Sequence, residues 1–301
     1  MPRDASILAL NAETQRWTNL LMGHPSSAKY WVGSIVPRSV PFVARLGVHA
    51  GSIRASCPGV LREPREGTDD SAAICEPYWP ARGMCTLQSI GIGGSWAYEE
   101  AIARERDCAV DAFDPTAALR SKHVHQVKNL TTQLSNSGRP LSLRFHFAGL
   151  GPATHQFLWK NGPGLQSGQG RNYGSISTDH LMTLSSMAAI SRGTSVLKLD
   201  CEGCEWVAFE HIATATPDLL RNTSLLHIEL HVGRTMISPT SQAQFASIFR
   251  YLFEKLRFKI WRIKGNPGYY HDRHAIPWLR SFGLAPKLCC YELALVQAVP
   301  L

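Results

Sequence analysis

Residues 87–96 have the sequence Leu87-Gln88-Ser89-Ile90-Gly91-Ile92-Gly93-Gly94-Ser95-Trp96, a short apolar strand that runs into a glycine-rich turn. A segment with helical spacing follows, and glycines before a helix N-terminus let a ligand approach the backbone amides closely. The loop is shorter than the G-x-G-x-x-G fingerprint of dinucleotide-binding folds. It therefore indicates a cofactor loop only in combination with the segment that comes next.

That next segment is a second predicted strand, Cys108-Ala109-Val110-Asp111-Ala112-Phe113-Asp114-Pro115, which ends in a carboxylate. Asp114 lies about 20 residues after the glycines, the spacing at which an acidic residue holds a ribose in nucleotide-binding folds. An ionised carboxylate at a strand end can accept hydrogen bonds from both hydroxyls of a ribose. The two segments together predict a nucleoside-containing ligand.

Strands and helices alternate from Met84 onward. Predicted strands span 85–91, 108–113, 141–147, 195–200, 225–230, 257–263 and 289–297, and predicted helices span 95–105, 116–121, 178–190, 204–212, 217–221 and 242–255. Such alternation with short connections indicates an α/β fold with a parallel sheet. The last two strands suggest a terminal antiparallel hairpin.

Polar side chains cluster at the ends of the fourth and fifth predicted strands. Lys198, Asp200 and Glu202 recur at a spacing of two, which places them on one face of an extended segment. Glu229 and His231 occupy the end of the next strand. We interpret this cluster as a site, and a solvated surface face is the alternative. A divalent cation held by these acids and His231 is a second hypothesis, less favoured than ion pairs with Lys198 or a nearby Arg.

Four motifs resemble those of FkbM-type methyltransferases, in particular the branch that includes the animal methyltransferase-like proteins. The Lys-x-Asp-x-Glu-Gly-x-Glu stretch is the most specific of them, and the resemblance covers about residues 75–297. The motifs are Gly91-Ile92-Gly93-Gly94-Ser95-Trp96, Ala112-Phe113-Asp114-Pro115, Leu197-Lys198-Leu199-Asp200-Cys201-Glu202-Gly203-Cys204-Glu205-Trp206 and Ile228-Glu229-Leu230-His231.

The resemblance implies a doubly wound, seven-stranded, Rossmann-like class I methyltransferase sheet with strand order 3-2-1-4-5-7-6 and an antiparallel last strand. It implies a methyltransferase domain over residues 76–301, preceded by a helical and irregular N-terminal extension over residues 1–75. It also implies S-adenosylmethionine (SAM) as the cofactor. The expected activity is methyl transfer, with an oxygen of a small molecule or a glycan as the favoured acceptor.

The same resemblance implies the site residues. The expected cofactor-binding residues are Gly91, Gly93, Gly94, Ser95, Asp114, Gly149, Leu150 and Asp200. The resemblance places Asp200 and Glu202 beside the methyl-transfer site, and we add His231 as a third expected catalytic residue, with no metal. Among these, Asp200 or His231 is the expected base, because their strand ends are predicted to adjoin. Tyr269, Tyr270 or His271, in a long aromatic loop, is expected to touch the acceptor.

Two alternative functions are also compatible with parts of the sequence. A nucleotide-cofactor oxidoreductase is disfavoured, because the chain lacks a full G-x-G-x-x-G and a Tyr-x-x-x-Lys pair near the fourth strand. A catalytically silent binding module with the same fold is the other alternative, and the intact glycines, Asp114 and Asp200 argue against it. Methyl transfer to any acceptor would distinguish the enzyme from the silent module.

The charge and composition of the chain disfavour some classes of partner. The net charge is +8 over 301 residues, but the basic residues are dispersed among acids, which disfavours a dedicated nucleic-acid surface. No apolar stretch is long enough to span a bilayer, and no signal-peptide pattern opens the chain. Compartment, oligomeric state and the identity of the acceptor are left open by the sequence.

Eight cysteines allow more than one interpretation. Cys57, Cys75 and Cys85 lie in loop-rich sequence and could pair in an oxidising compartment, whereas Cys108, Cys201 and Cys290 are expected to pack as free thiols in or beside strands. A zinc set made from Cys201, Cys204, Cys289 and Cys290 is disfavoured, because adjacent cysteines rarely ligate one tetrahedral ion.

The sequence also allows predictions for some polar and charged residues outside the motifs, about their solvent exposure and possible N-glycosylation. His123 and His125 are expected to face solvent. Basic residues around the sixth strand, Arg262 among them, are expected to line a solvated sheet edge, and a position beside an acidic acceptor is the less favoured alternative. Asn129-Leu130-Thr131 and Asn222-Thr223-Ser224 match the acceptor pattern for N-glycosylation, which also arises often by chance.

Overall fold

The computed structural model describes residues 54–55, 61–62, 73–138, 142–151, 181–191, 193–201, 204–231, 251–266 and 290–297. The strands in these ranges are β1 (Arg54–Ala55), β2 (Leu61–Arg62), β3 (Ile74–Cys75), β4 (Thr86–Ile90), β5 (Ala109–Phe113), β6 (Leu143–His146), β7 (Gly149–Leu150), β8 (Leu181–Met182), β9 (Val196–Leu199), β10 (Leu225–His231), β11 (Phe258–Asn266) and β12 (Cys290–Gln297). The α-helices in the same ranges are α1 (Ala97–Arg106), α2 (Arg120–Asn136), α3 (Leu184–Ile190) and α4 (Cys204–Ala215).

The main sheet has the strand order β1-β11-β12-β10-β9-β4-β5-β6. Strands β6, β5, β4, β9 and β10 run parallel to one another, whereas β12 pairs antiparallel with both β10 and β11. When the seven strands from β4 onward that belong to this sheet are numbered along the chain, the order is 3-2-1-4-5-7-6. The doubly wound class I methyltransferase topology expected from the motifs is confirmed, including the terminal hairpin and the antiparallel last strand.

An additional short strand lies beside the hairpin formed by β11 and β12, at the edge of the sheet. Strand β1 pairs antiparallel with β11, with Arg54 opposite Ile263 and Ala55 opposite Arg262. The sixth strand is therefore covered along part of its outer edge. Arg262 is 3% exposed, so the expectation that it lies on a solvated edge is wrong.

Apolar residues on the two faces of the sheet pack against different helices. On one face, Leu197 and Leu199 lie in a core with Phe209 and Ile212 of α4. On the other face, the core contains Leu87, Val110 and Val196 from the strands with Tyr98, Ile102, Leu130 and Leu134 from α1 and α2. Alternation along each strand supplies both faces, as expected for a sheet covered on both sides.

The helices differ from the sequence prediction where the apolar pattern is weak. A helix expected over 116–121 is a 3-10 turn at Ala117–Leu119 followed by α2, which continues to Asn136 although only His123, Leu130 and Leu134 are buried in it. Residues 217–221 form a turn instead of a helix. Within the described residues, the helix expected over 178–190 is present only as α3. Strand β8 precedes it, and the Thr183 hydroxyl caps the start of α3 by accepting a hydrogen bond from the Ser186 amide. Of the helix expected over 242–255, Tyr251–Lys255 is a π-helical turn and the rest lies outside the described residues.

Disulfides replace two of the expected free thiols. Cys85 is bonded to Cys108, and Cys201 is bonded to Cys204. Cys75 is also disulfide-bonded. The free-thiol expectation was wrong for Cys108 because β4 and β5 pair with Thr86 opposite Ala109, which brings the two preceding cysteines side by side. The Cα atoms of Cys85 and Cys108 are 4.8 Å apart.

The structure also bears on membrane association. In the part of the chain that the structure describes, none of the helices has the length and the apolar character that crossing a bilayer requires.

Candidate functional site

The carboxyl ends of four parallel strands meet at one edge of the sheet. Ile90 pairs with both Phe113 and Leu199, and Leu199 pairs with Ile228. The Gly91 amide donates a hydrogen bond of 2.9 Å to the Phe113 carbonyl, and the Asp200 amide donates one of 2.9 Å to the Ile90 carbonyl. The residues that follow the strands, Asp114, Gly91 and Asp200, therefore lie in one row, which continues to Glu229 within β10.

Gly91 is the residue on which the loop geometry depends most. Its φ is +81°, a conformation that favours glycine, and a Cβ built on it would collide with the backbone carbonyl of Asp200. The glycine loop and the segment after β9 are consequently in direct backbone contact. The two motifs that are separated by about a hundred residues in the sequence form one structural unit at Gly91 and Asp200.

Asp114 organises the glycine loop from the neighbouring strand. Its Oδ2 accepts hydrogen bonds from the Gly93 amide at 2.9 Å and the Ile92 amide at 3.2 Å, and its Oδ1 accepts one from the Thr116 amide at 2.8 Å. A carboxylate has about four acceptor positions. With three of them used by backbone amides, one position remains for a hydroxyl of a ligand, and a second hydroxyl would have to displace a loop amide.

His123 of α2 is buried behind Asp114, so the expectation that it faces solvent is wrong, whereas His125 is exposed as expected. The indole Nε1 of Trp96 donates a hydrogen bond of 2.9 Å to His123 Nδ1. Because Nδ1 accepts this bond, the proton of a neutral His123 ring lies on Nε2, and Nε2 is 3.8 Å from Asp114 Oδ2. Burial lowers the pKa of His123, although the charge of Asp114 opposes that shift. His123 is thus a neutral support for the carboxylate.

A buried charge pair lies on the other side of the glycine loop. Lys198 of β9 donates a hydrogen bond of 2.9 Å from Nζ to the carbonyl of Gly91. The same Nζ lies 3.7 Å from Glu99 Oε1, which accepts a hydrogen bond of 2.5 Å from the Ser89 hydroxyl. Glu99 is 1% exposed and Lys198 9% exposed, so this pair ties α1, β4 and β9 together beneath the loop.

The outer part of the glycine loop is open. A Cβ added at Gly93 or Gly94 would meet no atom within 4 Å. The Gly94 carbonyl accepts a hydrogen bond of 2.6 Å from the exposed Lys122, and the Ser95 hydroxyl accepts one of 3.3 Å from the Ala97 amide at the start of α1. A ligand could therefore reach the backbone of Gly93 and Gly94 without moving other residues.

Gly149 and Leu150 form β7, which pairs with β8 immediately after the third sheet strand. A Cβ at Gly149 would lie 2.8 Å from Pro115 Cγ, so glycine allows this strand to approach the residue next to Asp114. Leu150 is buried in the core with Ile90 and Phe113. That Gly149 and Leu150 border the adenine of a cofactor stays a prediction.

Asp111 belongs to a second polar group near this edge, one that the sequence analysis did not single out. It accepts hydrogen bonds from Arg144 at 2.7 Å and His146 at 2.8 Å and has no exposed surface in its side chain. Burial acts to raise the pKa of Asp111, but the hydrogen bonds from His146 and Arg144, together with the charge of Arg144, outweigh it and the pKa is lowered. A charged residue at an inward position of an apolar strand is the sequence signal that could have indicated such a pair.

The predicted catalytic residues are placed unequally. Asp200 is half-buried beside Gly91. His231 ends β10 opposite Cys290, two residues beyond Glu229, and its side chain lies outside the described part of the structure, as do Glu202, Tyr269, Tyr270 and His271. Asp200 and His231 therefore lie at the ends of neighbouring strands, as expected. The residue of β10 beside Asp200 is Glu229, however, and His231 lies two residues further along the strand.

One described cluster has ligand atoms close enough together for a metal. The side-chain atoms of Cys201, Cys204 and Glu205 lie within 4.8 Å of one another. Both sulfurs are joined in a disulfide, which leaves no thiolate to bind an ion. This group therefore links the end of β9 to the start of α4 and has no metal-binding chemistry in the oxidised state.

Comparisons with known proteins give similarity to solved structures alone. No family model matches the chain, and no curated protein matches it. The chain is similar to the methyltransferase FkbM from Methylobacillus flagellatus KT, with 12% identity and a TM-score of 0.44 over 96% of this chain and 60% of that chain. This chain thus corresponds to less than two thirds of the length of that protein.

Two further structures resemble it more distantly. One is a geranyl diphosphate methyltransferase in complex with SAM, with 8% identity and a TM-score of 0.34 over 73% of this chain and 81% of that chain. The other is a mycolic acid cyclopropane synthase in complex with SAH, with 11% identity and a TM-score of 0.34 over 73% of this chain and 80% of that chain. The solved structures to which the chain is similar thus include an FkbM methyltransferase and a SAM-bound methyltransferase.

Proposed function

We propose that this chain is a SAM-dependent methyltransferase that transfers the methyl group to an oxygen of a small molecule or a glycan. The observation that carries the proposal is the contact of Gly91 with Asp200 beside Asp114, at the carboxyl edge of a sheet with the order 3-2-1-4-5-7-6. Ligands of doubly wound sheets bind at this edge, where the strand order reverses. In this sheet the reversal occurs between β4 and β9, which are the strands that carry Gly91 and Asp200.

The residues at this edge suit the parts of SAM. Asp114 has one acceptor position left for a ribose hydroxyl, and Gly93 and Gly94 offer open backbone for the methionine part, with Ser95 next to them. Gly149 and Leu150 are proposed to border the adenine. When bound, SAM supplies an electrophilic methyl group on a sulfonium. This chain would contribute binding, orientation and proton removal, which are the terms that accelerate such a transfer.

We propose Asp200, Glu202 and His231 as the catalytic residues. A hydroxyl acceptor must lose its proton as the new bond to carbon forms, and a carboxylate or a neutral imidazole can take that proton. Asp200 is the first candidate for the base, because its backbone is held against Gly91 and the start of the cofactor loop. His231 is the second candidate, at the end of the neighbouring strand.

Calorimetric titration with SAM, S-adenosylhomocysteine and NAD tests the cofactor. We expect the first two to bind and NAD not to bind, and Asp114→Asn to weaken binding because the amide cannot accept on both atoms. Asp218→Asn is the matched control, since Asp218 is 73% exposed in an ion pair with Arg221. NAD binding alone would support the oxidoreductase instead. An equal affinity of the Asp114 and Asp218 variants would refute the role of Asp114.

Release of S-adenosylhomocysteine in the presence of a panel of phenols, monosaccharides and methyl glycosides tests the reaction. We expect product with at least one hydroxyl acceptor, and a large loss of kcat with Asp200→Asn or His231→Asn, with unchanged SAM affinity in His231→Asn. Binding of SAM with no turnover across the panel would favour the silent module. Unchanged turnover in the doubly substituted protein would remove both residues as the base.

A further inference from the structure

The edge of the sheet opposite the candidate site carries one of the two N-glycosylation acceptor patterns. Asn222-Thr223-Ser224 lies in the turn before β10, and Asn222 is exposed. It borders a groove of about 540 Å³ at the amino ends of β4, β5 and β9. Other residues that line this groove are Met84, Cys85, Asp107, Ala109 and Thr194.

We propose that Asn222 is an N-glycosylation site, modified while the chain passes through an oxidising compartment. The co-reactant is an oligosaccharide linked to a lipid diphosphate. Asn222 Nδ2 forms a bond to the anomeric carbon and loses one proton, while the bond from that carbon to the diphosphate oxygen breaks and the lipid diphosphate leaves. The product carries a bulky, hydrated group on an exposed turn, where the fold can accommodate it.

The disulfides are an independent observation that points to the same compartment. Cys85–Cys108 joins the starts of two neighbouring strands, Cys201–Cys204 closes the turn before α4, and Cys75 is disulfide-bonded as well. Disulfides form and persist where the surroundings are oxidising, and they are rare in the cytosol. N-glycosylation acceptor patterns are used in secreted proteins, so the bonds and the pattern support each other.

The hydrogen bonds of the turn indicate when the transfer takes place. Ser224, the hydroxyl residue of the pattern, donates from Oγ to the Ser195 carbonyl at 2.9 Å, and Thr223 donates from Oγ1 to the Thr194 carbonyl at 3.0 Å. In the folded protein both hydroxyls are thus engaged with the segment before β9. Transfer therefore precedes the docking of β10 onto β9, and the folded state only has to leave the Asn222 side chain exposed.

Glycan attachment at Asn222 is compatible with the proposed function. Asn222 precedes the amino end of β10, whereas Asp114 and Asp200 follow the carboxyl ends of β5 and β9, which are parallel to β10. A glycan at the amino edge would therefore leave the candidate site open. This inference does not depend on the methyltransferase proposal, because it rests on the turn, the acceptor pattern and the disulfides.

The second acceptor pattern supplies an internal reference. Asn129 lies within α2, and its Nδ2 is 2.9 Å from His125 Nε2. Asn129→Gln removes this pattern without touching the turn at Asn222. Ser224→Thr keeps a hydroxyl and therefore keeps the Asn222 pattern, whereas Ser224→Ala abolishes it.

The test is expression of the chain behind an endoplasmic-reticulum leader in cultured eukaryotic cells, followed by peptide mass spectrometry after glycosidase treatment in heavy-oxygen water. We expect heavy-oxygen Asp at position 222 in the wild-type chain, in Asn129→Gln and in Ser224→Thr, and no label there in Ser224→Ala. Occupancy is read on the wild-type chain, so the result does not depend on whether a variant folds. An unlabelled Asn222 in chains whose Cys85–Cys108 bond has formed would overturn the proposal.

Discussion

The ammonium group of Lys198 donates a hydrogen bond of 2.9 Å to the carbonyl oxygen of Gly91. This bond fixes a glycine whose φ is +81° and whose amide is bonded to the next strand. The charge of Lys198 is balanced by Glu99, 3.7 Å away and almost fully buried. The conformation of the glycine loop therefore depends on a buried charge pair that spans α1 and β9.

Lys198→Met is expected to destabilise the protein by about 3–5 kcal/mol, because it leaves the Glu99 carboxylate buried without its counter-ion. We also expect weaker SAM binding, since the Gly91 carbonyl loses the donor that holds it. Urea unfolding measures the first effect and calorimetry the second. Lys122→Met is the matched control, because Lys122 also donates to a loop carbonyl, that of Gly94, but from an exposed position.

The double variant Lys198→Met with Glu99→Gln distinguishes the charge pair from simple loss of packing. Removing both charges should restore part of the stability lost in the single variant, because no isolated charge then remains buried. Strictly additive losses in the two single variants and the double variant would show that Lys198 and Glu99 do not stabilise the fold as a pair.

A pair of glycine substitutions separates folding from ligand binding. Gly91→Ala is expected to cost at least about 2 kcal/mol, because its Cβ would collide with the Asp200 carbonyl and its φ is positive. Gly94→Ala should leave stability unchanged, since its Cβ meets nothing within 4 Å and its φ lies outside the left-handed region.

If Gly94 lies against bound SAM, the added methyl group should weaken SAM binding by about tenfold or more, equivalent to about 1.4 kcal/mol. Thermal unfolding of the ligand-free variants and calorimetric titration of Gly94→Ala measure the two effects separately. Full SAM affinity in Gly94→Ala would remove Gly94 from the cofactor site without affecting the case for Gly91.

The sheet was predictable because its strands are apolar runs with clear ends, and the motifs supplied their order. The glycine loop, Asp114 and Asp200 were predictable for the same reason, since each follows such a run. The pairing of Glu99 with Lys198 was not predictable, because it depends on how α1 packs across β4 and β9. Helix α2 was found only at its start, since three buried positions in 17 residues give too weak an apolar pattern.

The Cys85–Cys108 bond could have been predicted from the positions of the two cysteines in the sequence. Both cysteines are the first residues of predicted strands that are neighbours in a parallel sheet, and parallel neighbours that begin level bring such residues together. The structure pairs Thr86 with Ala109, one residue further along each strand. His123 was misassigned for a different reason, because its burial depends on the Trp96 indole, which packs against it from the glycine loop.

The two described disulfides should differ in their effect on stability. In the loop-entropy model, cross-linking Cys85 to Cys108 over a separation of 23 residues contributes about 3 kcal/mol, whereas the separation of 3 between Cys201 and Cys204 contributes about 2 kcal/mol. We therefore expect Cys85→Ala with Cys108→Ala to lower the urea midpoint more than Cys201→Ala with Cys204→Ala. The reverse order would show that the short bond beside Asp200 holds more of the fold than its loop length implies.

Stability should fall on mild acidification because of His227. Burial lowers its pKa from 6.5 to about 3, and the nearby charges of Arg262 and Lys198 act in the same direction. Below pH 6.5 the unfolded chain takes up a proton that the folded chain excludes. The free energy of unfolding should then decrease by about 1.4 kcal/mol for each pH unit lost, down to the folded-state pKa.

Urea unfolding between pH 4.5 and pH 7 tests this dependence on the wild-type chain and on His227→Gln. Asp111 does not contribute in this window, since the stability from its lowered pKa is lost only as the pH falls below its ordinary value of 3.8. His123 contributes in the same direction as His227, because its pKa is also lowered, so the variant should show a reduced slope and not a flat one. The exposed His125→Gln should retain the wild-type slope, and a wild-type slope in His227→Gln as well would contradict the assignment.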